Sequence, residues 1–217
     1  STRLTNGEAL VGRLVRSALD RSIPLWTSAP VRELTILDGV VTGAVLDTPT
    51  GKVTVKARRG VVLACGGFSY DDSYRKAFFP QGLGRGEYHP TTAPGSAGHG
   101  LRLAESAGAA IDHDMSNAAA WTPVSLLPKA NGEVGTVLHL WGRGVPGVIA
   151  VTRNGRRFAN ESNSYHEFCQ ALIEATPPEE EVYAYLVCDA AALRRYGFGY
   201  VRPFPIPHAR HLRSGYL

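Results

Sequence analysis

Five polar side chains, Asn160, Glu161, Asn163, Tyr165 and His166, fall within seven positions, shortly after the apolar run Gly147 to Thr152. Between the two lies Asn154-Gly155, a tight-turn dipeptide, so the pattern predicts a strand, a hairpin turn and a short return strand that delivers the polar run to one place. Packing alone does not call for so many hydrogen-bonding groups beside a core strand, because each must be paired or solvated. The plainer alternative is a polar loop capping a helix that starts near Tyr165. A second chemistry-bearing segment is Leu63-Ala-Cys-Gly-Gly-Phe68. Two glycines ending a buried strand let the backbone approach a ligand at the carboxyl edge of a parallel sheet. Gly142-Arg-Gly144-Val-Pro-Gly147 satisfies the dinucleotide-binding pattern but is a decoy. Pro146 interrupts it and a strand follows, whereas the true motif opens a helix that holds the pyrophosphate.

Composition removes several classes of function. With 44% hydrophobic residues over 217 positions, the chain can bury a core. Its 23 basic and 19 acidic side chains give +4, without a basic run or interleaved aromatics, so nucleic acid is not an expected partner. Cys65, Cys169 and Cys188 are odd in number and lack metal-ligand spacing. No metal site is expected, and the cysteines read as buried reduced thiols of a cytoplasmic protein. No apolar run approaches the ~20 residues of a membrane span. Oligomeric state is not legible.

The elements that must position these residues follow from periodicity and turn chemistry. A helix is predicted from Gly7 to about Arg21, capped by Asn6, with Leu10, Leu14, Ala18 and Leu19 on its apolar stripe. Ile23–Trp26 reads as a short strand. Val31–Leu37 and Val40–Leu46 around Asp38-Gly39 form a hairpin, extended to a meander by Lys52–Lys56. Gly60–Ala64 reads as a fully buried strand. Helices are expected at Tyr70–Phe79, Gly98–Ala109, Tyr165–Ala175 and Ala190–Tyr196, with a loop at Pro80–Pro94. A strand is expected at Val182–Cys188, and the proline-rich tail from Pro203 reads as irregular. The character changes after Trp121, which places a boundary near Pro123.

The run Gly155-Arg-Arg-Phe-Ala-Asn-Glu161 resembles the cap-domain entry of the FAD-dependent flavoproteins that include fumarate reductases and 3-ketosteroid dehydrogenases. There it leads to a proton-transfer residue, which on this chain is Tyr165. Leu63–Phe68 is similar to the Ala-Thr-Gly-Gly turn of that family's flavin domain, with Cys65 in the Thr place. The stretch Thr92 to Leu101 resembles its glycine-rich helix entry, with His99 where Asp is usual. The resemblance implies an α/β fold with α+β character: residues 1–122 as the later part of a Rossmann-like FAD-binding domain with a β-meander, and 123–217 as most of a mixed α+β substrate cap. It implies FAD near Ala29, Val31, Ala64, Cys65, Gly66, Gly67, Gly98 and Gly100. It places substrate near Trp121, Asn163 and His166. A free phenol titrates near 10, so Tyr165 needs donors to act as a base, and Asn163 and His166 stand close in sequence. Such enzymes pass hydride to flavin N5 and a proton to the tyrosine, on a carbon–carbon bond beside a carbonyl. Trp121-Thr122-Pro123 and Tyr165 replace the fumarate reductases' His-Pro-Thr and arginine. This favours a ketosteroid-like ketone over a dicarboxylate, since carboxylates want cationic forks. With no pyrophosphate loop at its N-terminus, the chain reads as a piece of such an enzyme. Taken by itself it is expected to be inactive, and could be a folded module without bound flavin. A fumarate- or urocanate-type reductase is the remaining alternative.

Overall fold

The computed structural model describes residues 3–79, 88–129 and 131–217. It divides into two compact units, residues 1–64 with 102–110, and residues 65–101 with 111–217. The sequence boundary near Pro123 therefore falls inside the second unit. Helices alternate with antiparallel sheets, giving an α+β architecture.

The first unit starts with helix α1, Asn6–Asp20. Thr5 occupies its N-cap without a side-chain bond, and Asn6, expected as the cap, is the first helical residue. The meander forms as predicted. Strand β1 (Val31–Leu37) pairs with β2 (Val40–Thr48) around Asp38-Gly39, and β2 pairs with β3 (Gly51–Lys56) in antiparallel register. Both turn residues take positive φ, 51° and 77°, which the tight connection requires. Gly43 sits where a Cβ would lie 2.1 Å from the Val55 carbonyl oxygen, so only glycine lets β2 and β3 approach there.

Two predicted strands of this unit do not form. Ile23–Trp26 is irregular and exposed, and Gly60–Ala64 pairs with no strand among the described residues. The second segment was expected to be fully buried, yet Val62 is 90% exposed. Its apolar, β-branched composition suits a sheet interior, but a strand is stabilised only by neighbours that take up its hydrogen bonds and cover its faces.

The second unit carries helix α2, Asp72–Phe78, whose N-cap Asp71 accepts from the Ser73 and Tyr74 amides. The loop expected to follow begins in residues 80–87, which lie outside the described residues. Helix α3, His99–Ser106, begins in this unit and ends in the first. Beyond Trp121 comes a hairpin that the sequence pattern did not predict, β4 (Val124–Pro128) with β5 (Val134–Leu138). Strand β6 (Val148–Val151) pairs with β7 (Tyr185–Cys188). The Asn154-Gly155 turn is present, with the Gly155 N–H bonded to the Thr152 carbonyl. The return strand expected after it shrinks to a single bridge, Val151 to Arg157. Helices α4 (Tyr165–Ala175), α5 (Ala190–Tyr196) and α6 (Ala209–Arg213) follow, the last in a tail whose sequence reads as irregular.

The core of this unit is Phe79, Trp121, Ala150, Phe168 and Cys169, with Phe68, Phe158, Ile173 and Leu186 packed around it. Trp121 meets Phe79 edge-on at 4.8 Å between ring centres, and Phe168 meets Phe158 at 5.0 Å. Of the three thiols expected to be buried, Cys169 is, Cys188 is half-buried and Cys65 is exposed.

Candidate active site

The polar run after β6 is held by two ionic anchors. Glu161 is buried, and its Oε1 accepts from the Ala150 amide at 2.8 Å and from Arg157 Nε at 3.0 Å. Burial alone would push this carboxyl up, but the Arg157 and Ala150 bonds outweigh it and leave the group below the usual carboxylate range. The glutamate thus pins the loop to the core strand. Arg143, 2% exposed, is the second anchor. Its Nη1 donates to the carbonyls of His139 and Leu140, and Nη2 donates to that of Asn163. The guanidinium lies 5.2 Å over the Phe168 ring, a cation–π contact that partly replaces lost solvation. Its Nε has no hydrogen-bond partner among the described residues.

These anchors fix the start of α4. Ser164 and Glu167 form a reciprocal capping box, so the first turn of the helix is well defined. Tyr165 is its first residue, 39% exposed. His166 reaches back, its Nδ1 accepting the Trp121 amide at 3.1 Å. The Trp121 indole N–H donates to Asn117 Oδ1, which also takes Gln170 Nε2 from α4. The tryptophan turn and the helix start are therefore tied by backbone and side chain together.

Beside them lies a cavity of about 800 Å³. Gly67, Phe68, Trp121, Phe168, Leu172 and Leu186 are among its walls, and no lysine or arginine is found among its described lining residues. Trp121 lines the cavity. Tyr165, Asn163 and His166 do not line it. Three polar residues that the sequence did not single out for the site do: Ser125 on β4, His139 just after β5, and Tyr216. Ser125 Oγ lies 2.9 Å from both His139 Nε2 and the Tyr216 hydroxyl. Burial, and then the Arg143 charge, push His139 below its ordinary value, so the ring is neutral at pH 7. Cys169, also in the wall, is pushed up to about 12 by burial, against the pull of Arg143. It is an inert thiol at neutral pH.

The glycine turn is exposed along Ala64–Gly67. Gly66 has φ +82°, and a Cβ there would meet Ser96 Oγ at 3.2 Å. The Gly98 amide donates to the Gly67 carbonyl at 3.0 Å, and Gly100 lies against Cys65 Sγ. Gly98 is buried, and Gly100 is the second residue of α3. Apart from its chain neighbours, no heavy atom of the described residues stands within 4 Å of where a Gly67 Cβ would be. In the first unit, Ala29 lines a smaller apolar cavity of about 390 Å³ with Trp26, Gly43 and Leu46, and Val31 opens β1 with an exposed side chain. No helix among the described residues is long and apolar enough to cross a membrane.

An exposed two-glycine turn locked to a helix start, beside an apolar cavity, is an arrangement used for a flat, polar-edged cofactor. The family model described as FAD binding domain matches residues 1–206, and the chain belongs to that family. The 4-oxocyclohex-2-ene-1-carboxylate 5-dehydrogenase of Sinomonas cyclohexanicum is 38% identical over 98% of this chain and 36% of its own length. The 3-oxosteroid 1-dehydrogenase of Mycobacterium tuberculosis is 33% identical over 97% of this chain and 38% of its own. Among solved structures, the 3-ketosteroid Δ1-dehydrogenase of Sterolibacterium denitrificans in complex with 1,4-androstadiene-3,17-dione matches with a TM-score of 0.70 and 28% identity, covering 90% of this chain and 35% of that one. The motif resemblance to fumarate reductase and ketosteroid dehydrogenase flavoproteins agrees with these findings. The chain spans a little over a third of the curated relatives it matches. The residues present fit FAD: the open backbone at Gly67 and the left-handed turn at Gly66 suit contact with its polar edge.

Proposed function

We propose that this chain forms part of an FAD-dependent oxidoreductase that desaturates or reduces a carbon–carbon bond beside a ring carbonyl, with residues 1–122 contributing to the flavin domain and 123–217 to the substrate cap. The observation that carries the reading is the cavity whose wall joins the glycine turn, through Gly67, to Trp121 and a mainly apolar lining. Bound flavin supplies the hydride acceptor for such a reaction. The chain's own residues do the rest. The Cys65–Gly67 backbone and the α3 entry hold and orient the cofactor. The apolar walls exclude water and accept a hydrocarbon ring.

Tyr165 is the proposed proton acceptor at the carbon beside the ketone. The capping box and the His166–Trp121 bond support this role by fixing where the phenol starts. Because Tyr165 stands outside the cavity wall, the role requires it to meet the substrate from the α4 end of the site. A ketone is favoured over a dicarboxylate because no lysine or arginine lies among the described lining residues, and Arg143 is committed to three backbone carbonyls. Three free thiols support a reducing, cytoplasmic setting.

In the complete enzyme, Tyr165→Phe should lower turnover of a cyclic ketone by about 10²-fold or more while flavin binding is kept. Near-normal turnover would remove Tyr165 from the mechanism. For the 217-residue chain alone, a second reading is a folded module without flavin. It is favoured by the uncovered Gly60–Ala64 segment that leads into the glycine turn. A visible absorption spectrum of the purified chain separates the two, since flavin bands exclude the module.

A further inference from the structure

One corner of the cavity carries a linked set of polar side chains, and its hydrogen-bond order is constrained. The Tyr216 hydroxyl accepts the Tyr200 amide at 3.3 Å and shares a hydrogen with Ser125 Oγ at 2.9 Å. Ser125 in turn shares one with His139 Nε2 at 2.9 Å. Gly199 closes over this corner: a Cβ there would meet His139 Cε1 at 2.8 Å and the Tyr216 hydroxyl at 3.0 Å. A neutral imidazole can carry its hydrogen on either nitrogen, so the chain has two proton arrangements. With the hydrogen on Nδ1, Tyr216 donates to Ser125 and Ser125 donates to the ring. With it on Nε2, the ring donates to Ser125, Ser125 donates to Tyr216, and the phenolic hydrogen is left over. All three side chains line the cavity, so that spare hydrogen is available to a ligand there.

We propose that Tyr216, set by Ser125 and His139, is a specificity element that donates a hydrogen bond to a ketone oxygen at the end of the substrate remote from the reacting bond. This rests on the function proposed above, in which the reacting end lies by Gly67 and Trp121. Ser125 lies four positions after Trp121, a reach of up to about 13 Å in extended chain. Such a span suits a rigid ring system with an oxygen at each end. A ketone accepts the phenolic hydrogen without bringing a charge. A carboxylate would need a cation that the described lining does not offer.

The test is equilibrium titration of the chain with androst-4-ene-3,17-dione and with androst-4-en-3-one, which lacks the remote oxygen. Quenching of Trp121 is the readout, since it is buried in the cavity wall while Trp26 and Trp141 are 54% and 84% exposed. The dione should bind about tenfold more tightly, the worth of one hydrogen bond to a neutral acceptor. Tyr216→Phe, which keeps the ring that packs against Tyr200 and His211, should bring the two ligands to equal affinity, whereas Ser125→Ala, which leaves the phenolic hydrogen free for the ketone, should keep the preference. Equal binding by the unsubstituted protein overturns the proposal without needing either variant. So does a preference retained in Tyr216→Phe. If the preference is found but the complete enzyme turns over neither ketone, the recognition role stands and the proposed reaction falls. Turnover without the preference keeps the reaction and overturns the recognition role.

Discussion

Helices α1 and α4 carry the same kind of message in sequence and meet opposite fates. Each has an apolar stripe at three- and four-residue spacing. In α4 that stripe, Phe168, Cys169 and Leu172, is buried in the core of the second unit. In α1 no residue is buried, and Leu10, Leu14 and Leu19 are each about 60% exposed. Periodicity therefore tells which face of a helix is made to be covered, not whether the cover lies within the same stretch of chain. The contrast extends to the units: the second encloses a cavity and an aromatic core, while the first is a well-formed meander with large apolar side chains in contact with water.

The strongest way to break this comparison is truncation on both helices. Phe168→Ala removes the ring at the centre of the core and should cost about 3–5 kcal/mol in urea unfolding. Leu14→Ala, although it also deletes a large apolar side chain, should stay within about 0.5 kcal/mol for this chain. Similar losses at the two positions would mean that α1 is packed in solution.

Acid should act on the second unit through His139 and Glu161. Both folded-state values lie below the ordinary ones, 6.5 and 4.5, so each group adds stability at neutral pH. That stability is lost as pH falls, first below about 6.5 as protonation of buried His139 is forced, then below about 4.5 as Glu161 loses its charge. Unfolding midpoints followed by Trp121 fluorescence should fall in two stages as pH drops, the first from about 6.5 downward and the second from about 4.5 downward. Glu161→Gln should flatten the lower stage, and an unchanged lower stage in that variant would contradict the anchor role.

The smallest contrast lies within the glycine pair. Gly66→Ala forces a left-handed residue and should cost about 1 kcal/mol, whereas Gly67→Ala should leave stability unchanged because open space borders its Cβ position. In the complete enzyme the order should reverse for flavin affinity at Gly67, where a methyl group would stand between backbone and cofactor. Equal flavin binding by Gly67→Ala and the unsubstituted enzyme would separate that turn from the cofactor.

Legibility followed the range of the interactions. The meander was readable because Asp38-Gly39 sets the turn and the flanking residues alternate locally. The α4 start was readable because the apolar stripe and the polar entry lie within a few residues of the helix. The β4–β5 hairpin was missed because Pro123 and Pro128 break the pattern, and Pro128 is tolerated only as the last residue of its strand. Five-residue α6 is too short to show a period. The polar corner of the cavity could not be read at all, since Ser125 and Tyr216 meet across 91 positions and no local rule joins them. Gly60–Ala64 is the instructive miss: its composition described a sheet interior correctly as a requirement, and the described residues do not meet it.

That segment has a practical consequence. Val61, Val62 and Leu63 present side chains and unpaired ladder positions to water together, and such an edge is a template for a second strand. In concentrated solution the chain should be sticky, adding copies edge to edge, and a lysine placed at Val62 should keep it dispersed.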